Sequence, residues 1–464
     1  MTPRESDANP FLQGNFAPWR MEGEAQDLEV RGELPRELNG TFYRNGPNPA
    51  YEPLGRYHWF DGDGMIHAIH LDDGRASYRN RYVASAGLAE ERRAGRATFR
   101  GLLEMSPGEV PSFKNTGNTN IVSHAGRLLA LMEATLPTRL APDTLATLGE
   151  FDFDGRLGGP MTAHPKMDPE TGEMHFFGYS PFPPWLQYHV ADRTGALVRS
   201  EPIDIAWPTM MHDFAITAHH VVFIVCPLVF SFENVRERGG VFSWEPERGT
   251  RIGIMPRTGG NADVRWLETD ASYVFHPLNA YEDGDEVVLD VARYPHLHFM
   301  QAKAARDPQY DGDSAARLHR WRLAPTRGTV RSTPLDDRAG EFPRIDERRL
   351  GRRHRFGYLA ATGPEGPEGG LPLFTAVHRY DLERNTCDVR AFGAGNGVGE
   401  PLFVARHAAA EEDDGYVLVL AYDRERNASD FLVLDARHLA GEPIATVRLP
   451  HRVPYGFHGN WVPA

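Results

Sequence analysis

The chain has 464 residues, 41% of them hydrophobic and 11% aromatic, which is enough apolar material for a large core and excludes a disordered protein. A formal net charge of -14 excludes a surface built to grip nucleic acid, because phosphate binding draws on clustered Lys and Arg. With only Cys226 and Cys387 present, a disulfide framework and a thiolate metal site are excluded as well.

The opening MTPRESDANPFLQGNF has no apolar run of signal-peptide length, and no stretch of about 18 uncharged apolar residues follows it anywhere. We therefore expect a cytoplasmic protein, with residues 1–24 as an N-terminal extension and 25–464 as one domain. From residue 25 onward, apolar and β-branched runs of strand length alternate with Asp-Gly and similar turns. Two motifs stand near the start, NGTFYRNGPNP at 39–49 and FDGDGMIHAIH at 60–70. In the latter, DGDG at 61–64 lacks the further spaced carboxylates and terminal Glu of a calcium loop and reads as a tight hairpin turn. AIHLDDGRASYRNRYV continues the theme, and the segment near 86–105 is the first with helical periodicity.

Further strands are predicted in LLALMEATLPTRL, EMHFFGYSP, HHVVFIVCPLVF, DEVVLDVARY and DGYVLVLAYDRERNASDFLVLDA, with a second helical candidate near 299–306. PFPPWL at 181–186 and CPLVFSF at 226–232 are apolar enough to serve either as core or as a peripheral membrane contact. The basic run Arg348, Arg349, Arg352, Arg353 and Arg355 reads as a solvated face. Spaced hairpins with acidic Gly turns, and 46 Gly and 36 Pro spread along the chain, make the fold all-β and suit a sandwich, a barrel or a propeller.

Four histidines stand in constrained contexts: TAHPKMDPETG (His164), MHDFAIT (His212), YVFHPLNAYE (His276) and YGFHGNW (His458). Their first two separations are each about one propeller blade with its loops, and matched positions on successive blades converge on a propeller's axis. Together with the motifs at 39–49 and 60–70, these contexts resemble those of the carotenoid cleavage oxygenases, also called carotenoid and stilbene oxygenases. The resemblance runs from about residue 25 to the C-terminus.

What it implies is a seven-bladed β-propeller with a cap of loops and short helices, holding Fe(II) on four histidines that match His164, His212, His276 and His458. Three glutamates that bond to ligand imidazoles match Glu133 in LLALMEATLP, Glu341 in GEFPRID and Glu400 in GEPLFV. A carboxylate on the distal N–H of an imidazole fixes its tautomer and makes it a better donor. Four histidines saturate tetrahedral zinc, whereas an octahedral iron keeps two positions open, which favours O₂ chemistry over hydrolysis. His58, His67, His70, His124, His219 and His220 read as structural or surface residues.

The activity implied is O₂-dependent cleavage of a conjugated double bond in an apolar small molecule. Thr119 in GNTNIV matches a threonine beside the vacant iron position, and Met132, Phe182, Trp185, Phe214 and Phe403 are candidates for the wall of an apolar tunnel. Members that cleave phenolic stilbenes or phenylpropenes have a Lys just before the first glutamate and a Tyr some 30 residues earlier. Here the former is Met132, and the stretch ATFRGLLEMSP has no Tyr. This favours a carotenoid or apocarotenoid over isoeugenol or resveratrol-type substrates. From a different class stands a non-catalytic propeller that uses the histidines to hold a metal.

Overall fold

A computed structural model describes residues 9–55, 57–101, 114–231, 241–297, 315–362 and 373–464. The strands sort into the two kinds that their burial demands. Arg75–Tyr82 alternates exposed and buried positions, as a half-buried strand must, whereas Met174–Tyr179 and Phe356–Ala361 are buried throughout and read as continuous apolar runs.

Antiparallel sheets follow one another along the chain in a propeller-like, nearly all-β arrangement. Asn120–His124, Arg127–Leu131, Thr138–Leu140 and Thr147–Glu150 form one; Lys166–Met167, Met174–Tyr179, Leu186–Ala191 and Leu197–Pro202 the next; Ala215–Ile216, His220–Val225, Thr250–Pro256 and Arg265–Thr269 a third. A longer sheet runs from Tyr273–Asp283 to Thr386–Ala391 through the extended strand Thr329–Arg344, whose register breaks between Glu341 and Arg344. The chain closes on itself twice. Gly40–Pro47 pairs with Gly459–Pro463, and Val30–Gly32 pairs with Ala445–Arg448. The largest apolar cluster, which includes Tyr188, Phe214, Phe223 and Trp321, fills the space between the second sheet, the third and the long one.

The helical segment expected near 86–105 is the helix Ala86–Ala94, capped by Ser85, whose hydroxyl accepts from Leu88 N–H, and ended by Gly95 at φ 67°. The candidate near 299–306 lies outside the described residues. DGDG is not a hairpin turn: Asp61 ends a short 3₁₀ turn, Gly62 and Gly64 lead into the strand Gly64–Asp72, and Asp63 pairs with Lys114. A Cβ on Gly64 would stand 2.4 Å from Gly117 O, so this close passage requires glycine.

Residues 9–24, set apart in the sequence as an extension, are docked. The Asn15 amide donates to Val453 O, Trp19 stacks on His451, and Gly23–Ala25 pairs with Arg75–Tyr82. The Arg348–Arg355 run is ion-paired rather than simply solvated: Arg348 grips Asp346, Arg352 reaches Glu170, and Arg355 holds Asp381. Of the two apolar segments, Leu186, Cys226, Leu228 and Val229 are core, and no helix among the described residues is long and apolar enough to cross a membrane.

Candidate metal centre

Sheet edges deliver the four histidines. His164 and His212 each lie in the loop just before an edge strand, Lys166–Met167 and Ala215–Ile216; His276 sits in Tyr273–Asp283, and His458 immediately precedes Gly459–Pro463. Bulges in Tyr273–Asp283 beside His276 re-aim its side chain out of the regular alternation. The result is one cluster, with ligand atoms of all four rings within 4.8 Å of one another. His164 Nε2 lies 2.9 Å from His212 Nε2, which lies 3.2 Å from His276 Nε2.

The opposite ring nitrogens show what these rings are prepared for. His212 Nδ1 donates to Glu133 at 2.6 Å, His276 Nδ1 to Glu341 at 2.6 Å and His458 Nδ1 to Glu400 at 2.9 Å. Each carboxylate thereby fixes the tautomer that turns a lone pair on Nε2 toward the centre. Converging lone pairs at such separations repel unless a cation lies among them, either a proton or a metal. Metal–nitrogen bonds of about 2.1 Å put neighbouring ligand nitrogens about 3.0 Å apart at octahedral right angles and about 3.4 Å apart at tetrahedral angles. The two separations straddle the octahedral value, so the donor set fits a divalent transition metal with further coordination positions.

Burial, and then the charges of its three neighbours, push the His164 imidazole well below its ordinary pKa. His458 falls to about 3, chiefly through burial. Burial also acts downward on His212, but the Glu133 carboxylate outweighs it and holds that ring above the ordinary value. Burial works against the Glu400 carboxylate, yet Arg344, the His458 contact and Arg44 bring it down to about 2. The Tyr179 hydroxyl donates to Glu133 at 3.0 Å.

Glu341 owes its position to backbone geometry. The next residue, Phe342, stands at φ 51°, a conformation unfavourable for a bulky side chain, and its N–H bonds to the Glu341 carboxylate. The Phe342 ring packs 5.6 Å from His276 and 5.0 Å from His458, and Phe275 lies 5.1 Å from His212, so aromatic rings wall the imidazoles.

Thr119 adjoins the centre through its backbone: its carbonyl accepts from His458 N–H at 3.2 Å, and its hydroxyl donates to Asn118 Oδ1. Met132 is buried beside Glu133. The other four tunnel candidates lie elsewhere in the packing. Phe182 is 62% exposed and is no enclosed wall, Trp185 packs on the main apolar cluster, Phe214 lies edge-on to Phe177 in the core, and Phe403 stacks on Tyr358. The cavity of about 230 Å³ that reaches His164, His276 and His458 is lined instead by Asn120, Lys166, Asp213, Arg344, Glu400 and Asn460 among others, and by none of the five. Lys166, Asp213 and Arg344 are the residues that sequence reasoning missed. Lys166 and Asp213 sit within two positions of a ligand histidine, and that adjacency of charge was the signal available.

Residues 16–463 match the family model described as retinal pigment epithelial membrane protein, RPE65. The chain is 39% identical to a carotenoid cleavage oxygenase of Mycobacterium tuberculosis over 98% of each protein, and 34% identical to an isoeugenol monooxygenase of Pseudomonas nitroreducens, again over 98% of each. Among solved structures, the lignostilbene dioxygenase of Pseudomonas brassicacearum superposes with a TM-score of 0.93 at 34% identity, covering 98% of this chain and 99% of that one. The cobalt-substituted apocarotenoid oxygenase of Synechocystis gives 0.87 at 31% identity over 96% and 97%.

Proposed function

This chain belongs to the RPE65/carotenoid oxygenase family, and from that premise we propose that it is an Fe(II)-dependent dioxygenase cleaving one conjugated C=C bond of a carotenoid or apocarotenoid. O₂ is the co-substrate and two carbonyl fragments are the products. The observation that carries the reading is the convergence of ligand nitrogens from four imidazoles within 4.8 Å of one another, three of the rings backed by buried carboxylates.

His164, His212, His276 and His458 would hold the iron, which when bound supplies the activation of O₂ that an alkene and a closed-shell protein cannot provide. Glu133, Glu341 and Glu400 keep the Nδ1 protons in place so that each ring offers its Nε2 lone pair. Tyr179 steadies Glu133. The Thr119 hydroxyl is spent on Asn118, which leaves its methyl as the group to border the centre, and we assign it the restriction of access there. Phe275 and Phe342 exclude water from the imidazoles, an apolar setting in which a polyene is held and a charged species is not. Met132, buried with its thioether near Ala134 N–H, presents no charge to a phenolic hydroxyl. We read residues 25–464 as a single domain of seven blade-like units, counted by dividing the long sheet at the register break after Glu341 and leaving out the two-stranded pair Leu228–Phe230 and Phe242–Trp244.

The likeness to lignostilbene dioxygenase and isoeugenol monooxygenase favours a second reading, cleavage of a phenolic stilbene or phenylpropene to an aromatic aldehyde. Iron-loaded protein incubated with an apocarotenal and, in parallel, with resveratrol or isoeugenol separates the two. A shortened apocarotenoid aldehyde supports the first reading. Aromatic aldehyde with the polyene untouched replaces it with the second, and zinc in place of iron with no O₂ uptake leaves only a metal-binding propeller.

A further inference from the structure

The four histidines are not backed alike. His212 and His276 donate to carboxylates at 2.6 Å, and among the described residues the remaining hydrogen-bond partners of those carboxylates carry no charge: the Tyr179 hydroxyl on Glu133, and Phe342 N–H with the partly buried Tyr294 phenol beside Glu341. His458 donates to Glu400 at the longer 2.9 Å, and Arg344 Nη1 stands 3.4 Å from the same oxygen. His164 has only Asp213 opposite its Nδ1, at 4.0 Å, and Lys166 Nζ grips that carboxylate at 2.8 and 3.0 Å. Arg44, buried near Glu400, adds positive potential from farther off.

A carboxylate draws an imidazole proton toward itself and strengthens the ring as a donor, and a cation on that carboxylate weakens the pull. Four buried carboxylates also exceed what one divalent ion offsets, and uncompensated negative charge in a poorly hydrated interior is costly. We propose that Lys166 and Arg344 are positioning residues that set the charge of the metal centre, compensating Asp213 and Glu400 so that His164 and His458 are its weaker donors and His212 and His276 its stronger ones. This rests on the reading that the four histidines hold a divalent metal. Lys166, Asp213, Arg344 and Glu400 all line the cavity of about 230 Å³ that His164, His276 and His458 reach, whereas Glu133, Glu341 and His212 do not.

A purely structural pair of ion bridges would, when broken, loosen the site. Cations that hold down the centre's negative potential would, when removed, tighten it. The test is titration of metal-free full-length protein with Co²⁺ against a chelator of known affinity, with the visible d–d absorption recorded alongside. Arg344→Met and Lys166→Met are each expected to lower the Co²⁺ dissociation constant about tenfold and to shift the d–d bands, while Arg344→Lys and Lys166→Arg stay within about twofold of the parent. An unchanged or raised dissociation constant in either folded methionine variant overturns the proposal. Where a methionine variant does not fold, Arg344→Gln or Lys166→Gln decides by the same criterion. A parent protein that takes up no Co²⁺ defeats the metal reading itself, whereas stoichiometric uptake without tightening in the variants defeats only the assignment of Lys166 and Arg344.

Discussion

Replacing Glu400 by Gln removes a charge while keeping the shape of the side chain, and the structure sets what that costs. One carboxylate oxygen accepts from His458 Nδ1 and the other from Gly459 N, both at 2.9 Å, and Arg344 lies 3.4 Å away. An amide can offer its oxygen to only one of the two N–H donors and turns its own NH₂ against the other. Burial keeps the His458 imidazole neutral down to about pH 3, so at pH 7 the carboxylate answers to two guanidinium groups and two N–H groups. A carboxyl whose pKa falls from 4.5 in the unfolded chain to about 2 in this site contributes about 3 kcal/mol to stability at neutral pH. Because the folded value is the depressed one, that contribution is complete above 4.5 and is lost as the pH falls toward 2. Glu400→Gln should therefore lower the stability of the metal-free protein by about 3 kcal/mol at pH 7. At about 2 cal/mol/K of unfolding entropy per residue, this is a drop of about 3 °C in melting temperature. The gap should narrow at pH 3.5. Chemical and thermal unfolding at the two pH values measure it. A gap under about 1 kcal/mol at pH 7, or one that does not shrink on acidification, refutes the assignment of Glu400 as a buried, cation-held carboxylate.

Loss of one ligand, as in His276→Ala, is expected to abolish stoichiometric iron by elemental analysis together with O₂-dependent cleavage, while circular dichroism stays that of the parent. Glu133→Gln leaves Tyr179 a partner but takes the charge from behind His212, and should weaken metal binding about 10- to 100-fold in a chelator competition. Gly456→Ala would place a Cβ 2.7 Å from Asn45 O and 3.0 Å from Gly46 Cα; the loop carrying His458 must shift, and metal affinity should fall about tenfold with a melting temperature lower by a few degrees. Chelation of the metal should lower the melting temperature as the logarithm of the free metal falls, without loss of the β-sheet spectrum, because the sheets close through backbone pairing rather than through the ion.

The clustering of the four histidines, and the glutamates behind three of them, was legible because each lies in a short, constrained motif. Which aromatic side chains border a substrate was not, and the reason is physical. Aromatic residues such as Phe214 and Phe403 serve a propeller's inter-sheet core as readily as a cavity, and only the packing decides which. The all-β class followed from turn spacing and alternation, but the docking of residues 9–24 did not, since Asn15 and Trp19 find their partners more than 400 residues away, at Val453 and His451. Charge told a mixed story. The arginine run at 348–355 looked like hydrated surface because its partners, Glu170 and Asp381 among them, come from distant segments.

The pairing of Gly40–Pro47 with Gly459–Pro463 has a temporal meaning. His458 immediately precedes Gly459–Pro463, so during synthesis the fourth imidazole can join the other three only after that strand has emerged and paired with Gly40–Pro47. Circular permutants that open this seam should accumulate sheet structure before they acquire affinity for an ion.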